Sequence, residues 1–174
     1  RTTLALTGYG VGIVGIVDPL RSEAIDAVAV AKRAGIDVRM ITGDHAITAG
    51  AIGAELGLGP GAISGADLAA MPQDELASNI DNLHVFGRVT PQDKVRIVET
   101  LQARGDVVAM TGDAVNDAAA IKQADVGVAM GSGSEVTKQA ARLVLTDDTF
   151  ATLVHAVELG RGIYAKITAY IRFQ

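Results

Sequence analysis

Two short stretches of this sequence place a hydroxyl residue, a glycine and an aspartate directly after an apolar run. Thr42, Gly43 and Asp44 follow the run at 38–41, and Thr111, Gly112 and Asp113 follow the run at 106–110. A hydroxyl and a glycine where a strand gives way to a helix can cradle phosphate through backbone N–H groups and the side-chain oxygen. An Asp there serves equally well as a helix cap, and for 42–44 taken alone that plain turn is the stronger reading. The second stretch continues with Ala114, Val115, Asn116 and Asp117. Asp113 and Asp117 stand four apart across a strand-to-helix turn, which can aim both carboxylates at one point. Hard oxygen ligands of this kind suit Mg²⁺, which keeps several waters and takes one or two carboxylates with phosphate oxygens. One of the two could instead cap the helix. The recurrence of the motif at a second strand end favours the chemical reading. Lys94 falls in the first turn of a helix expected over 91–103, where the helix dipole opposes a cation. Its position points to a partner anion, either phosphate or a carboxylate.

Other residues carry less. Gly10, Gly12 and Gly15 match G-x-G-x-x-G, but the apolar run continues to Val17, Pro19 follows, and the next helix starts only near Ser22. A dinucleotide fingerprint needs the helix to open within the motif, so a Gly-rich strand is the better reading. The three histidines, His45, His84 and His155, lack metal-ligand spacing and read as structural. Met40, Met110 and Met130 end strands and read as core filler. With no Cys, disulfides, thiolate metal sites and Cys nucleophiles are excluded.

The elements that must position these residues alternate. Strands are expected at 38–41, 85–86, 106–110, 126–130 and 143–145. Helices are expected at 22–34, 45–56, 91–103, 117–123, 134–141 and 150–173. Thr90 and Pro91 form the N-cap and first position of the 91–103 helix. Near-continuous apolar strands alternating with helices indicate an α/β fold, a doubly wound and mostly parallel sheet covered on both faces. Such sheets place ligands at the carboxyl ends of their strands, where both Thr-Gly-Asp stretches fall. Residues 59–82 read as an excursion or edge element with a weak helix after Asp67. Residues 4–17 read as β-structure, broken by a hinge at Asp18-Pro19. The charges from Glu135 to Arg142 read as a solvated helix face.

Composition agrees. The chain has 174 residues, 49% hydrophobic and 20% charged, with 20 Gly, no Trp and 3% aromatic residues. That suits a globular core built from Ala, Val, Ile and Leu. A net charge of -5 gives no electrostatic case for nucleic acid or an anionic membrane surface. No run approaches the roughly 18 apolar residues of a membrane span, and no signal peptide is evident. The start at Arg1 and the stop in mid-pattern at Gln174 read as a fragment of something longer.

These motifs, in this order and spacing, resemble the cytoplasmic phosphorylation domain of P-type cation-transporting ATPases, most of all the type II calcium, sodium and proton pumps. The match runs from about Asp18 to the C-terminus. Asp18-Pro19-Leu20-Arg21 resembles the hinge to the nucleotide-binding domain, with Leu20 at the second Pro of the family pattern. Thr42-Gly43-Asp44 resembles the phosphate-contacting motif, 88–94 the segment whose Lys meets the transferring phosphoryl group, and 111–117 the magnesium motif. Ala114 replaces the usual Gly and Ala119 the usual Pro.

The resemblance implies a Rossmann-like sheet of haloacid-dehalogenase type. It implies Mg²⁺ and ATP as cofactors, Asp113 and Asp117 at the metal, and Asn116 supporting the phosphate environment. It implies Thr42, Gly43 and Asp44 at phosphate, and Lys94 neutralising developing charge. Thr42, Lys94 and Asp117 would be the catalytic set, in a reaction that is mainly positioning and electrostatic stabilisation. It divides the chain into a trailing strand of the nucleotide domain at 1–17, a phosphorylation domain at 18–149, and a helix at 150–174 leading to a membrane stalk. The expected location is the cytoplasmic face of a membrane, with the pump's own membrane helices and the ATP-bearing nucleotide domain as partners and no nucleic acid. The family's phosphorylated Asp, in Asp-Lys-Thr-Gly-Thr, does not occur in this sequence. The strand that carries it would be central in the sheet, so the isolated chain is expected to be inactive. The Cβ of Ala114 is expected either to crowd phosphate or to strain a backbone position that wants Gly. The apolar strand at 1–17 is expected to make the isolated chain self-associate, or to stay mobile, unless further chain is present. Two alternatives are a soluble phosphatase of haloacid-dehalogenase type, disfavoured by the absence of Asp in residues 1–10, and a non-catalytic Mg²⁺- or nucleotide-binding module.

Overall fold

The structure is a computed structural model that describes residues 20–174. The Gly-rich stretch at 4–17, its G-x-G-x-x-G glycines and the Asp18-Pro19 hinge lie outside the described residues.

Six strands form: β1 (Met40–Thr42), β2 (Ala62–Ser64), β3 (Val85–Gly87), β4 (Ala109–Gly112), β5 (Val126–Met130) and β6 (Leu143–Leu145). Helices α1 (Ser22–Arg33), α2 (Ala46–Glu55), α3 (Gly65–Ala70), α4 (Gln73–Asn79), α5 (Pro91–Ala103), α6 (Ala118–Gln123), α7 (Glu135–Ala140) and α8 (Phe150–Phe173) alternate with them. All strand pairs are parallel, as the unbroken apolar character of β3 and β5 requires. Among the described residues the strands lie in two parallel sheets of three, ordered β1-β3-β2 and β4-β5-β6. Among the described residues β1 and β4 each keep one edge unpaired.

β1 and β4 begin later than the apolar runs that announce them and extend into the Thr-Gly motifs. Pairing, not apolarity, fixes their limits: Thr42 stands opposite Gly87, and Gly112 opposite Ala129. Residues 59–82 supply an edge strand, β2, besides α3 and α4. β2 is entered through Gly61, whose φ of +89° is a left-handed conformation that a side chain resists.

α5 ties the two sheets together. Its N-terminus carries a reciprocal capping box: Thr90 Oγ1 accepts from Asp93 N, and Asp93 Oδ2 accepts from Thr90 N. Ile97 on one side of α5 joins Ile63, Leu68, Leu76, Ile80 and Phe86, the core of the first sheet. Val98 and Val95 on the other join Ala120, Ala124, Val108 and Met110 of the second. α8 makes a second link. Val154 packs on Ala27 and Ala31 of α1, and Leu153 on Val128 and Leu145. No helix among the described residues is long and apolar enough to cross a membrane. The distal part of α8 nonetheless exposes Ile163, Tyr164, Ile167, Tyr170, Ile171 and Phe173.

Candidate functional site

The carboxyl ends of β1 and β4 carry the two Thr-Gly-Asp motifs, as the sheet topology requires. Beyond β4 the chain makes one 3-10 turn, Val115–Asp117, before α6. Asp117 is buried, 6% exposed. Its carboxylate does not cap α6 but reaches back toward the strand. Oδ2 accepts from the backbone N–H of Asp113 at 3.3 Å and of Ala114 at 3.2 Å. Oδ1 accepts from Lys94 Nζ at 2.5 Å. Gly112 makes room for this. A Cβ there would lie 2.5 Å from the Asp117 Cβ and 2.7 Å from Oδ2.

Lys94 thus has the anion that its helix position calls for, and the anion is a carboxylate. The pair is mostly removed from solvent, with side-chain exposures of 18% and 8%. In such surroundings the ammonium is held at a fixed point rather than sampling solvent.

Asp113 and Asn116 are exposed, and the Asp113 carboxylate makes no hydrogen bond among the described residues. The two aspartates of the motif therefore divide the labour. Asp117 shapes the loop, with both oxygens engaged, while Asp113 presents a free carboxylate at the strand end. Among the described residues no group of three or more His, Asp or Glu gathers as a metal cluster. This donor set fits an ion that binds through one or two carboxylates, waters and phosphate, as Mg²⁺ does. It does not fit a closed protein cage.

Ala114 has φ −94° and ψ 154°, ordinary extended backbone. The expected strain at this position is absent, because the conformation is one that any L-residue adopts.

The other motif is self-contained. Thr42 Oγ1 accepts from Asp44 N at 3.2 Å and donates to Asp44 Oδ2 at 3.3 Å. The α2 N-cap is His45, whose Nδ1 accepts from Ile47 N, so Asp44 is not the cap. Gly87 lets β3 approach this turn, since a Cβ there would lie 2.8 Å from Ala46 N and Asp44 O. Lys94, Asp113 and Asp117 are brought together. Thr42, Gly43 and Asp44 make no hydrogen bond to them among the described residues.

One contributor is not among the residues that the sequence singles out. Thr137 in α7 is fully buried and donates from Oγ1 to Ala114 O at 2.8 Å, while Ser134 N donates to Asp113 O at 2.8 Å. Of the charges expected on a solvated α7 face, Glu135 is 79% exposed, whereas Lys138, its partner in an ion pair, is only 28% exposed. The Ser-x-x-Thr spacing at 134–137 is the single available signal for the buried hydroxyl, and it reads as a cap.

Comparison with known proteins adds to this geometry. A family described as haloacid dehalogenase-like hydrolase matches residues 2–125, and a second family of the same description matches residues 95–157. Calcium-transporting ATPase 1 of Bacillus cereus is 53% identical over 167 residues, covering 94% of this chain and 19% of that protein. Probable cation-transporting ATPase F of Mycobacterium bovis is 52% identical over 177 residues, covering 97% of this chain and 19% of that protein. The chain thus spans about a fifth of the length of the curated relatives it matches. Among solved structures, a zinc-transporting PIB-type ATPase in an E2.Pi state aligns with a TM-score of 0.72 at 32% identity, covering 92% of this chain and 22% of that one.

Proposed function

Because this chain belongs to the haloacid dehalogenase-like hydrolase family, we propose that it is the phosphoryl-handling segment of an ATP-driven, cation-transporting P-type ATPase. The phosphorylation domain would occupy 18–149, with 1–17 trailing from a nucleotide-binding domain and 150–174 leading toward a membrane stalk. The location would be the cytoplasmic face of a membrane. The observation that carries this reading is the Lys94–Asp117 pair, which fixes the 113–114 backbone and leaves the Asp113 carboxylate free. Pump names among the relatives add support.

In this reading Asp113 holds Mg²⁺, with Asn116 beside it and Asp117 shaping the loop from behind. Bound there, Mg²⁺ would neutralise charge on a phosphoryl group. Lys94 supplies a fixed cation to the same phosphoryl oxygens, and Thr42, Gly43 and Asp44 supply a hydroxyl and backbone N–H groups from the other sheet. Lys94 and the 113–117 loop are preorganised, which is what a reaction of positioning and electrostatic stabilisation asks of the protein. The nucleophilic Asp would come from a strand pairing at the free edges of β1 and β4, brought by the rest of the pump together with ATP.

The test is a titration of the chain with Mg²⁺ and inorganic phosphate, followed through backbone amide resonances. Shifts at Thr42, Lys94 and Asp113 are expected. Silence at all three overturns the site.

A further inference from the structure

The backbone at Asp113 and Ala114 is gripped from two sides. Its N–H groups donate to the Asp117 carboxylate, and its carbonyls accept from the start of α7, with Ala114 O accepting from Asp117 N as well. We propose that Thr137, wholly buried in α7, is a positioning residue for the Asp113 carboxylate, with Ser134 as its support. The functional half of this inference rests on the reading of Asp113 as the Mg²⁺ ligand.

Proton accounting fixes the direction of the network. The Ala114 carbonyl can only accept, so the single Thr137 hydroxyl proton goes to it. Thr137 Oγ1 must then accept from Ser134 Oγ, 2.6 Å away. Ser134 Oγ in turn accepts from Thr137 N at 3.1 Å, and Ser134 N donates to Asp113 O. Every hydrogen-bonding group in this chain is satisfied, and Thr137 is wholly excluded from solvent. A buried network with all members paired fixes a geometry. Ala114 O also accepts from Asp117 N at 2.9 Å, so losing the Thr137 hydroxyl removes one of its two donors and leaves Ser134 Oγ without its acceptor. The turn before α7 also presses on the loop. A Cβ on Gly133 would meet Asp113 O at 2.9 Å and Asp113 Cα at 3.0 Å. No side chain is tolerated between this turn and the peptide that carries the free carboxylate.

Thr137→Val keeps the shape and removes the hydroxyl, whereas Thr137→Ser keeps the hydroxyl. Two readouts on the chain decide the matter: hydrogen exchange of the Asp113 and Ala114 amides, and the Mg²⁺ concentration that half-shifts Asp113. In Thr137→Val, exchange at both amides should quicken about tenfold, and Mg²⁺ binding should weaken by about the same factor. Amides of Ile63 and Phe86, in the other sheet, should stay unchanged, and Thr137→Ser should restore both readouts. Should Thr137→Val fail to fold, Ser134→Ala removes only the supporting donor and should give a smaller effect in the same two amides. Unchanged exchange and unchanged Mg²⁺ binding in these variants overturn the proposal and leave the site reading standing. A wild-type chain that ignores Mg²⁺ overturns the site reading and with it the functional half of this proposal, while the exchange rates still report whether Thr137 holds the loop.

Discussion

Removing either partner of the Lys94–Asp117 pair should cost far more than removing a surface ion pair. The side chains are 18% and 8% exposed, and the contact is 2.5 Å. Asp117→Asn can still accept from the Asp113 and Ala114 amides, but its amide nitrogen or a misplaced oxygen must face a nearly buried ammonium. Breaking a buried pair from one side costs about 3–5 kcal/mol, and the residual exposure of Lys94 brings the expected value to about 3 kcal/mol. Lys94→Met leaves Asp117 with its two backbone donors, so about 2 kcal/mol is expected. In the double variant no charge is stranded. Its cost should fall about 2 kcal/mol short of the sum of the two single costs, which is the coupling energy. The assay is urea unfolding of the four proteins, with unchanged m-values as the check that the same transition is measured. An internal control lies on α7. The Lys138–Glu135 pair has a similar 2.8 Å contact, but Glu135 is 79% exposed. Its coupling should stay below about 0.5 kcal/mol. A Lys94–Asp117 coupling as small as the control would refute the argument that burial makes this pair the fixed point of the site.

Gly112→Ala should undo the same arrangement without touching a charge. Its Cβ would fall 2.5 Å from the Asp117 Cβ, so the carboxylate must swing away, at a cost of roughly 2–3 kcal/mol. Urea unfolding measures the cost, and rapid exchange at the Asp113 and Ala114 amides reports the swing. Acid should weaken the second sheet partly through Asp125, whose carboxyl is held below its ordinary range by the Val108 N–H and next by the Gln102 side chain. A lowered folded value means that its contribution is present above the ordinary Asp value and is lost as pH falls through the folded one. Asp125→Asn should flatten that part of the acid unfolding curve; an unaltered pH profile would refute the assignment.

What was legible in the sequence followed from local physics. α5 begins at Pro91 as expected because Thr90 and Pro91 are a complete start signal, and β5 and β6 match their expected limits because their apolar runs coincide with the paired residues. β1 and β4 do not match. Val107 is apolar yet 82% exposed, and the paired residues start at Ala109, opposite Val126. β2 went unseen because three residues with one buried side chain, Ile63, leave no periodicity to read. At the site, the residue types were legible but their partners were not. The helix dipole announces that Lys94 needs an anion, but only the fold brings Asp117, 23 residues on, within reach of its ammonium. Thr137 is a short polar residue on a six-residue helix, and nothing local separates it from its solvated neighbours.

The division of the sheet explains why the two Thr-Gly-Asp motifs do not meet. One ends β1, in a sheet whose core is Phe86 and Ile97; the other ends β4, in a sheet packed on Val98 and Ala120. Between them the described residues offer two links: α5, which sends Ile97 one way and Val98 the other, and α8, which reaches from Val128 to α1. Neither link pairs strand with strand. The group proposed for the metal is preorganised within its own sheet, through Asp117, Thr137 and the Lys94 ammonium from α5. The group proposed for phosphate is preorganised only against itself, through Thr42 and Asp44. A parallel strand hydrogen-bonded to β1 on one side and β4 on the other would set the register of both motifs at once, because register in a sheet is fixed residue by residue. In the proposed pump, that places the nucleophile's strand in a double role: it brings the reacting carboxylate, and it holds the phosphate-side and metal-side groups in one frame.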